Sequence, residues 1–226
     1  MNYSENINLE ELLPNNWLKY IDKTVLNNVN NALQLAIKQN TKTCFFPYDI
    51  HDIFKIFHLC DLKDIQVVIL GQDPYYADKC QANGIAFSVN KDVKIPPSLR
   101  NIYKEAKKES TSGDLSDWVK QGVFLLNATL TVKEKYPNSH VFIWKEFINH
   151  IINIINKECD NIIFVSWGAS AANKYINIDL NKHKILTSSH PSPLSCYKTD
   201  NPFIGSNVFK NINELLQLYN KKTILW

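Results

Sequence analysis

The sequence predicts a single α/β domain, in which a central four-stranded, mainly parallel sheet is flanked by helices on both faces. Two observations lead to this prediction. Of four short apolar runs, most are continuous rather than alternating, as in strands that are covered on both sides. Stretches with apolar residues at helical spacing separate or flank these runs. The chain has 226 residues, 45% of them hydrophobic, which is enough for one sizeable core. We therefore expect one domain over residues 1–226, with residues 1–15 poorly ordered.

Spacings of three and four between apolar residues predict the helices. Residues 16–38 form one or two amphipathic helices on this pattern, residues 144–156 form another, and residues 212–219 form a C-terminal helix. The strands are predicted at the apolar runs Val67–Leu70, Val123–Leu126, Ile162–Val165 and Lys184–Leu186. Strands that alternate with helices in this way are typical of a layered α/β fold.

Polar or Gly/Pro-rich residues follow each predicted strand. The first strand leads into "GQDPYY", the second into Asn127, the third into "SWGA" and the fourth into "SSHPSPLS". In an open parallel sheet, ligands bind outside the carboxyl ends of the strands. The four strand ends are therefore expected to converge on one crevice that holds the functional site.

Three side chains at these strand ends supply complementary chemistry. A carboxylate such as Asp73 orients water and offsets cationic charge, and an imidazole such as His190 hydrogen-bonds a departing oxyanion. The Asn127 amide is suited to read the donor and acceptor edge of a pyrimidine. Each residue alone also has an ordinary explanation: a turn former for Asp73, a cap for Asn127, a core histidine for His190. Leu194, in the last loop, would by default pack inward.

The charge and the cysteines restrict the function classes. The formal net charge of +3 is compatible with a nucleic-acid partner, but on charge alone an ordinary solvated surface is the favoured explanation. Arg100 is the only arginine, so phosphate groups would be bound by lysines, serine hydroxyls, backbone N–H groups or helix N-termini. The five cysteines are widely spaced without a C-x-x-C pattern, which argues against a disulfide framework and against a zinc or iron–sulfur site. The N-terminus lacks a signal-peptide pattern and no run approaches a membrane span, so we expect a soluble, intracellular protein.

Five motifs carry a resemblance to a known family. "GQDPYY", "GIAFSV", "IPPSL", "LLNATLTV" and "HPSPLS" resemble the motifs of family 1 uracil-DNA glycosylase, and they occur in that family's order between about Asp61 and Leu216. The pair "GQDPY" and "HPSPLS" is highly specific. The resemblance implies a DNA repair hydrolase that flips uracil out of DNA, cleaves its N-glycosidic bond and leaves an abasic site. It implies neither a metal nor a cofactor.

By this resemblance, Asp73 and His190 are the catalytic residues. Asp73 would activate or position the attacking water and face a sugar with oxocarbenium character. His190 would donate a hydrogen bond to uracil O2 and stabilise the leaving uracil anion. Bond cleavage is therefore expected to depend on these two side chains.

Four residues would bind the base in the same scheme. Asn127 would read uracil N3–H and O4 and thereby reject cytosine. Phe87 would stack on the uracil ring, although a core phenylalanine within a strand is the alternative. Tyr75 would occupy the space of a thymine methyl group, and the Gln72 backbone would approach the base.

The DNA contacts are also assigned by resemblance. Leu194 would fill the space in the base stack that the flipped nucleotide leaves. Proline-rich loops suit such contacts because little ordering entropy remains to be lost on binding. The residues expected to contact the DNA backbone are Ser98, Gly168, Ala169, Ser192 and Ser195.

The chain departs from the family pattern at several positions. Tyr76 stands where the family commonly has His, which puts in doubt a water or phosphate contact near the catalytic acid. Asn83 replaces a frequent His, and Ala169 replaces the usual Ser of a "WGS" loop, so that only the backbone N–H remains there. "SHVFIW" is one residue short and "YADKCQANG" is one residue long. We expect an active enzyme that is slower or more salt-sensitive.

Two other functions are compatible with these motifs. One is a module that holds DNA or a replication partner without catalysis, and the other is a glycosylase with wider substrate choice, such as mismatched thymine. A nucleotide-binding α/β protein would need a glycine-rich phosphate loop, which the sequence lacks. The expected partners are single- and double-stranded DNA containing uracil, a DNA-mimicking protein inhibitor, and a replication or single-strand-binding protein. We expect a monomer that does not bind membranes.

Overall fold

The computed structural model describes residues 3–4, 6–40, 42–77 and 81–226. The strands are β1 (Phe45–Phe46), β2 (Val67–Gly71), β3 (Val123–Asn127), β4 (Val132–Lys133), β5 (Ile163–Trp167) and β6 (Lys184–Ser188). The helices are α1 (Leu9–Leu12), α2 (Asn15–Leu18), α3 (Lys23–Gln39), α4 (Lys55–Leu59), α5 (Pro97–Glu105), α6 (Ser116–Val119), α7 (Val141–Glu158), α8 (Ala169–Lys174) and α9 (Val208–Leu218). Two short 3-10 turns lie at Ile50–Asp52 and Leu62–Asp64.

The main sheet has four parallel strands in the order β3-β2-β5-β6. Val67 of β2 pairs with Val123 on one side and with Ile163 on the other. Every residue of β2, β3 and β5 is buried, because helices cover both faces of the sheet, whereas β6 lies at the edge and is partly exposed. The predicted fold class and all four predicted strands are confirmed.

The helices predicted from apolar spacing are also confirmed. The segment 16–38 contains the end of α2 and most of α3, and the segments 144–156 and 212–219 fall on α7 and α9. The side chain of Asp22 caps α3 by accepting a hydrogen bond from Thr24 N. The apolar face of α7, which includes Trp144 and Ile148, is buried, and burial of each such side chain contributes about 1.5–3 kcal/mol of stability.

A second sheet of two antiparallel strands, β1 and β4, was not predicted. Each strand has only two residues, too few to produce a period in the sequence. The pairs Phe45↔Lys133 and Phe46↔Val132 connect the segment before α4 to the segment that follows β3. Of the two strands of this small sheet, β4 therefore follows the C-terminal end of β3 closely in the chain.

The described part of the N-terminal segment packs against the core, unlike the poor order expected for residues 1–15. Ile7, Leu9 and Leu13 are buried, and Tyr3 Oη donates a 2.6 Å hydrogen bond to Pro47 O. These apolar residues precede the periodic stretch and carry no strong helical pattern of their own, so the sequence did not reveal their burial. Residues 1, 2 and 5 lie outside the described residues. The "DKC" of the lengthened "YADKCQANG" segment, which includes Cys80, also lies outside them.

Among the described residues, no helix is both long and apolar enough to span a bilayer.

Candidate active site

The carboxyl ends of the parallel strands lie side by side, as the sequence predicted. Gly71, the last residue of β2, pairs with Asn127, the last residue of β3, and Trp167 at the end of β5 pairs with Ser188 at the end of β6. Because these pairs are in register, the residues that follow each strand leave the sheet at the same edge. His190 follows β6 by two residues and therefore enters this group.

The Asp73 carboxylate is fixed by hydrogen bonds from separate segments. Thr129 Oγ1 donates to Asp73 Oδ1 at 2.6 Å, and the backbone N–H of Asn138 donates to Oδ2 at 2.7 Å. Gln72 Nε2 lies 3.4 Å from Oδ2 and donates a second bond, of 3.0 Å, to Asn138 Oδ1. Both carboxylate oxygens thus have a donor, and the side chain has one preferred orientation.

Backbone pairing brings Thr129 to Asp73. Ala128 N donates to Gly71 O at 2.9 Å, and Thr129 N donates to Gln72 O at 3.0 Å. These bonds continue the pairing of β2 and β3 beyond the last residues of the two strands. The hydroxyl group therefore reaches the carboxylate without a flexible connection.

Asn127 is buried at the end of β3, with 6% of its surface exposed. A Cβ at Gly71 would collide with Asn127 Oδ1 and would lie 2.8 Å from Ala86 Cβ, so only glycine leaves space for this amide. The amide makes no hydrogen bond to another described residue. A buried amide without a protein partner is costly unless a ligand satisfies it, so the Asn127 amide is available to a ligand.

Phe87 lies in a turn rather than in a strand, with φ of +64°. Its buried ring contacts Trp167, with centroids 5.3 Å apart, and His190, with centroids 5.8 Å apart. Phe87 is therefore not within a strand, although its side chain belongs to the buried core. A positive φ is uncommon for a bulky residue and is often maintained at functional sites.

Asn83, one of the departures from the family pattern, stabilises the turn at Phe87 through a hydrogen bond. Its buried side chain donates from Nδ2 to Ser88 Oγ at 2.9 Å, and Ser88 Oγ in turn accepts from Leu115 N at 2.9 Å. Asn83 therefore stabilises this turn and is not a surface contact residue.

His190 has a defined tautomer. Ser192 N donates a 3.0 Å hydrogen bond to His190 Nδ1, so Nδ1 acts as an acceptor. In the neutral ring the proton then lies on Nε2. Burial lowers the pKa of His190 below its usual value, which favours this neutral form. The residue thus presents a neutral N–H donor.

The "HPSPLS" loop is held by its own serines. Ser192 Oγ and Ser195 Oγ are 2.9 Å apart, and Ser195 Oγ donates to His190 O at 3.1 Å. Leu194, between them, has 79% of its surface exposed, so the default of inward packing is wrong for this residue. The loop is therefore rigid, and the apolar side chain of Leu194 protrudes from it.

Helix α5 connects this loop to the "IPPSL" segment. Ser98 is the second residue of α5 and is half-buried. Asn101, one turn later, donates from Nδ2 to Pro191 O at 2.8 Å. At the end of the helix, Glu105 accepts hydrogen bonds of 2.7 Å from Gly205 N and from Asn207 N. The Asn101 bond from the middle of α5 therefore connects the helix that carries Ser98 to the histidine loop, and the two Glu105 bonds connect its C-terminal end to Gly205 and Asn207.

The remaining predicted residues border the same edge. Gly168 has φ of +92°, and a Cβ there would lie 3.4 Å from His190 Cβ, so this residue lies directly beside the histidine. Ala169 begins α8 and is exposed. Tyr75 is half-buried, and desolvation raises the pKa of its hydroxyl to about 12.

Thr129 and Asn138 are the residues that sequence reasoning missed. Thr129 stood within "LLNATLTV", two residues beyond Asn127, and its hydroxyl was the only available signal. Asn138 lies 65 residues from Asp73 in the chain and acts through its backbone N–H, which carries no side-chain signal.

In the part of the chain that the structure describes, no group of three or more His, Cys, Asp or Glu residues is arranged to hold a metal ion.

Comparisons with known proteins agree with this geometry. The model of the uracil DNA glycosylase superfamily matches residues 57–217. The uracil-DNA glycosylase of Borrelia turicatae is 45% identical over 221 residues, which cover 95% of each chain. That of Borrelia duttonii is 52% identical over 178 residues, which cover 76% of this chain and 78% of the relative.

A solved structure has the same fold. The crystal structure of mimivirus uracil-DNA glycosylase superposes with a TM-score of 0.90 at 31% identity, covering 98% of this chain and 90% of the other. A variant of the mimivirus protein has been crystallised in complex with UGI, and it superposes equally well. From the family match, the identity to full-length relatives and the shared fold, this chain belongs to the uracil DNA glycosylase superfamily.

Proposed function

We propose that this chain is a uracil-DNA glycosylase, which hydrolyses the N-glycosidic bond of deoxyuridine in DNA and initiates base excision repair. One observation carries the proposal: Asp73, Asn127 and His190 lie at the same sheet edge, where hydrogen bonds orient Asp73 and His190 and Gly71 leaves space for the Asn127 amide. Membership in the superfamily and the names of the relatives support the same function.

Base recognition would depend on the Asn127 amide. Its oxygen accepts from uracil N3–H while its nitrogen donates to O4. Cytosine has the opposite pattern on these atoms, which leaves buried groups unsatisfied at a cost of about 1–3 kcal/mol. Phe87 supplies a stacking surface, and the Tyr75 ring fills the space that the methyl group of thymine requires.

Bond cleavage would be divided between Asp73 and His190. The bond from C1′ to N1 breaks with its electron pair going to uracil, and the Nε2–H of His190 donates to the developing charge on O2. The Asp73 carboxylate stabilises the positively charged sugar and orients the water that adds to C1′, accepting its proton. The products are free uracil and an abasic site.

The flipped nucleotide would be held by the surrounding loops. Glycosylases extrude their target base from the duplex, and the unstacking energy is lowest for single-stranded DNA. The protruding Leu194 fills the vacated position, while Ser98, Ser192 and Ser195 contact neighbouring phosphates. Both single- and double-stranded DNA are therefore substrates.

A DNA-mimicking inhibitor is the protein partner that this surface fits best. The mimivirus relative forms a complex with UGI, and its fold matches this chain over nearly the whole length. An acidic protein that reproduces phosphate positions would contact the same serines, and it would enclose the exposed Leu194.

A cleavage assay tests the function directly. The protein is incubated in EDTA with end-labelled oligonucleotides that contain one deoxyuridine, thymidine or cytidine, and alkali then cleaves any abasic site. We expect scission only with deoxyuridine, and a loss of at least about a hundredfold in rate for Asp73→Asn, with DNA binding retained. DNA binding without scission by the unmodified protein would favour a binding module, and full turnover by Asp73→Asn would remove the assigned role of Asp73.

A further inference from the structure

A groove of about 1060 Å³ opens beside Asp73 and is not explained by recognition of uracil. Asp73 and Tyr75 belong to its lining, but Asn127, Phe87 and His190 do not. Typical sites for small ligands measure about 300–1,000 Å³, so the groove is large for a single base. We call it the proline–tyrosine groove after the residues of its walls, which are Pro74, Tyr75, Tyr76, Pro96, Pro97 and Pro137.

The walls of the groove are flat, rigid and apolar. The Tyr76 ring is half-buried, and within the described residues it neither packs on another aromatic ring nor donates a hydrogen bond. Aromatic faces of this kind are the usual stacking surfaces for nucleobases in proteins that bind single strands. Prolines add surface without loss of conformational entropy on binding.

Two cations, Lys94 and Arg100, belong to the described lining of the groove, together with the carboxylates of Asp73 and Asp92. Arg100 donates one guanidinium N–H to Ile95 O at 3.1 Å, and no ion pair to a described residue involves Arg100 or Lys94. Both cations can therefore face a phosphodiester, and Arg100 retains free donors for it.

The substrate itself supplies the occupant. DNA is a polymer, so a deoxyuridine held at Asp73 continues into the next nucleotide of the same strand. We propose that the proline–tyrosine groove binds the nucleobase adjacent to the flipped uracil, stacked on Tyr76, with the following phosphate at Arg100. This inference rests on the proposed function and extends it to a second recognition site, at a position where the chain departs from the family pattern.

Kinetics with modified oligonucleotides test the stacking. Single-stranded substrates carry one deoxyuridine whose 5′ or 3′ neighbour is either a normal nucleotide or a baseless tetrahydrofuran spacer. For normal neighbours we expect Tyr76→Ala to raise KM about tenfold, the size of one base–aromatic stack, and Tyr76→Phe to retain the KM of the unmodified protein. When the spacer replaces the neighbour that binds in the groove, the difference in KM between Tyr76→Ala and the unmodified protein disappears.

A binding measurement makes the test independent of turnover. The base 2-aminopurine, placed next to a thymidine or a deoxyuridine, is expected to be quenched by the unmodified protein and by Tyr76→Phe, and to remain bright with Tyr76→Ala. Equal KM values for all three proteins, or a Tyr76→Ala defect that persists with both spacers, would overturn the inference. Absence of uracil release from every oligonucleotide would instead overturn the proposed function, and the quenching would still report on the groove.

Discussion

Among single residues, Asp73 is the most constrained side chain of the site. Its two oxygens receive hydrogen bonds from a threonine hydroxyl and from a backbone N–H group, which come from different segments of the chain. A catalytic group needs to be held within a fraction of an ångström of its working geometry. If Asp73 is catalytic as proposed, Thr129 acts as a positioning residue through its hydrogen bond to Asp73.

We expect Thr129→Val to lower kcat by about 10- to 100-fold with little change in KM, because a hydrogen bond to a charged group contributes about 1.5–3 kcal/mol. Valine has the shape of threonine without its hydroxyl, so packing is preserved. Thr129→Ser, which retains the hydroxyl, is the matched control and should recover most of the activity in the same uracil-release assay. A serine variant as slow as the valine variant would assign the effect to packing.

Tyr75 is expected to determine discrimination at the C5 position of the base. Tyr75→Ala removes the ring from the space of a methyl group, so the variant should release thymine from an oligonucleotide on which the unmodified protein is inactive. Tyr75→Phe keeps the ring and should remain specific for uracil. If Tyr75→Ala leaves thymine intact at high enzyme concentration, another residue excludes the methyl group.

At the scale of elements, the close contact between β2 and β3 determines the position of the recognition amide. Asn127 is placed by strand register, and Gly71 leaves the space into which its side chain extends. A side chain at residue 71 would occupy that space. For the proposed function, the glycine is thus needed for specificity because it leaves space for the Asn127 amide.

The Gly71→Ala variant should lose excision activity and about 1–3 kcal/mol of unfolding free energy, because the added methyl group displaces Asn127 or Ala86. Urea denaturation and uracil-release kinetics measure the two effects. Gly205→Ala is a control, since a Cβ there meets no atom within 4 Å, although its φ of +90° strains the backbone. Full activity of Gly71→Ala would show that Asn127 tolerates a shift.

The sequence predicted those elements whose own residues carry a pattern. The buried strands appear as apolar runs, and α3 and α7 appear as apolar stripes, because burial selects residue types at a fixed spacing. Asp73, Asn127 and His190 could be placed together because parallel strands end at one edge. The β1–β4 pair and the turn at Phe87 depend on contacts between distant segments, which leave no periodic trace.

At the scale of the whole molecule, one buried histidine makes stability depend on pH. His140 is 4% exposed, and its Nδ1 lies 2.8 Å from Thr131 Oγ1, which also accepts a hydrogen bond from Trp144 Nε1 at 2.7 Å. Burial lowers the pKa of His140 to about 4, although the charge of Asp73 opposes this shift.

Stability is expected to fall as the pH falls from about 6.5, the ordinary pKa of histidine, to about 4. In this range the unfolded chain binds a proton at residue 140 that the folded chain does not, so protonation favours unfolding. The contribution of the neutral, buried His140 to the free energy of unfolding is retained in full above about pH 6.5. The shift corresponds to about 3 kcal/mol.

Urea denaturation between pH 7.5 and 4.5 measures this dependence. His140→Gln should show a shallower decline, and His51→Gln, at an exposed histidine, should retain the original slope. Since burial also lowers the pKa of His183 and His190, part of the decline will remain in every variant. Identical slopes for His140→Gln and the unmodified protein would contradict the assignment.

The anchoring of α5 at its middle and at its C-terminal end has a consequence for the DNA rather than for the protein. Asn101 joins the helix that carries Ser98 to Pro191, next to Ser192, and Glu105 joins it to Gly205 and Asn207, so the serine hydroxyls are held at fixed relative positions. For a strand bound as proposed, the interval between phosphates is then imposed by a stiff template, and the bending falls on the nucleic acid. Flexible pyrimidine–purine steps accept such bending at low energy, whereas stiff A-tracts resist it. Uracils in the genome would therefore be repaired at rates that depend on the local bending stiffness of the double helix, a property that no side chain in the pocket recognises directly.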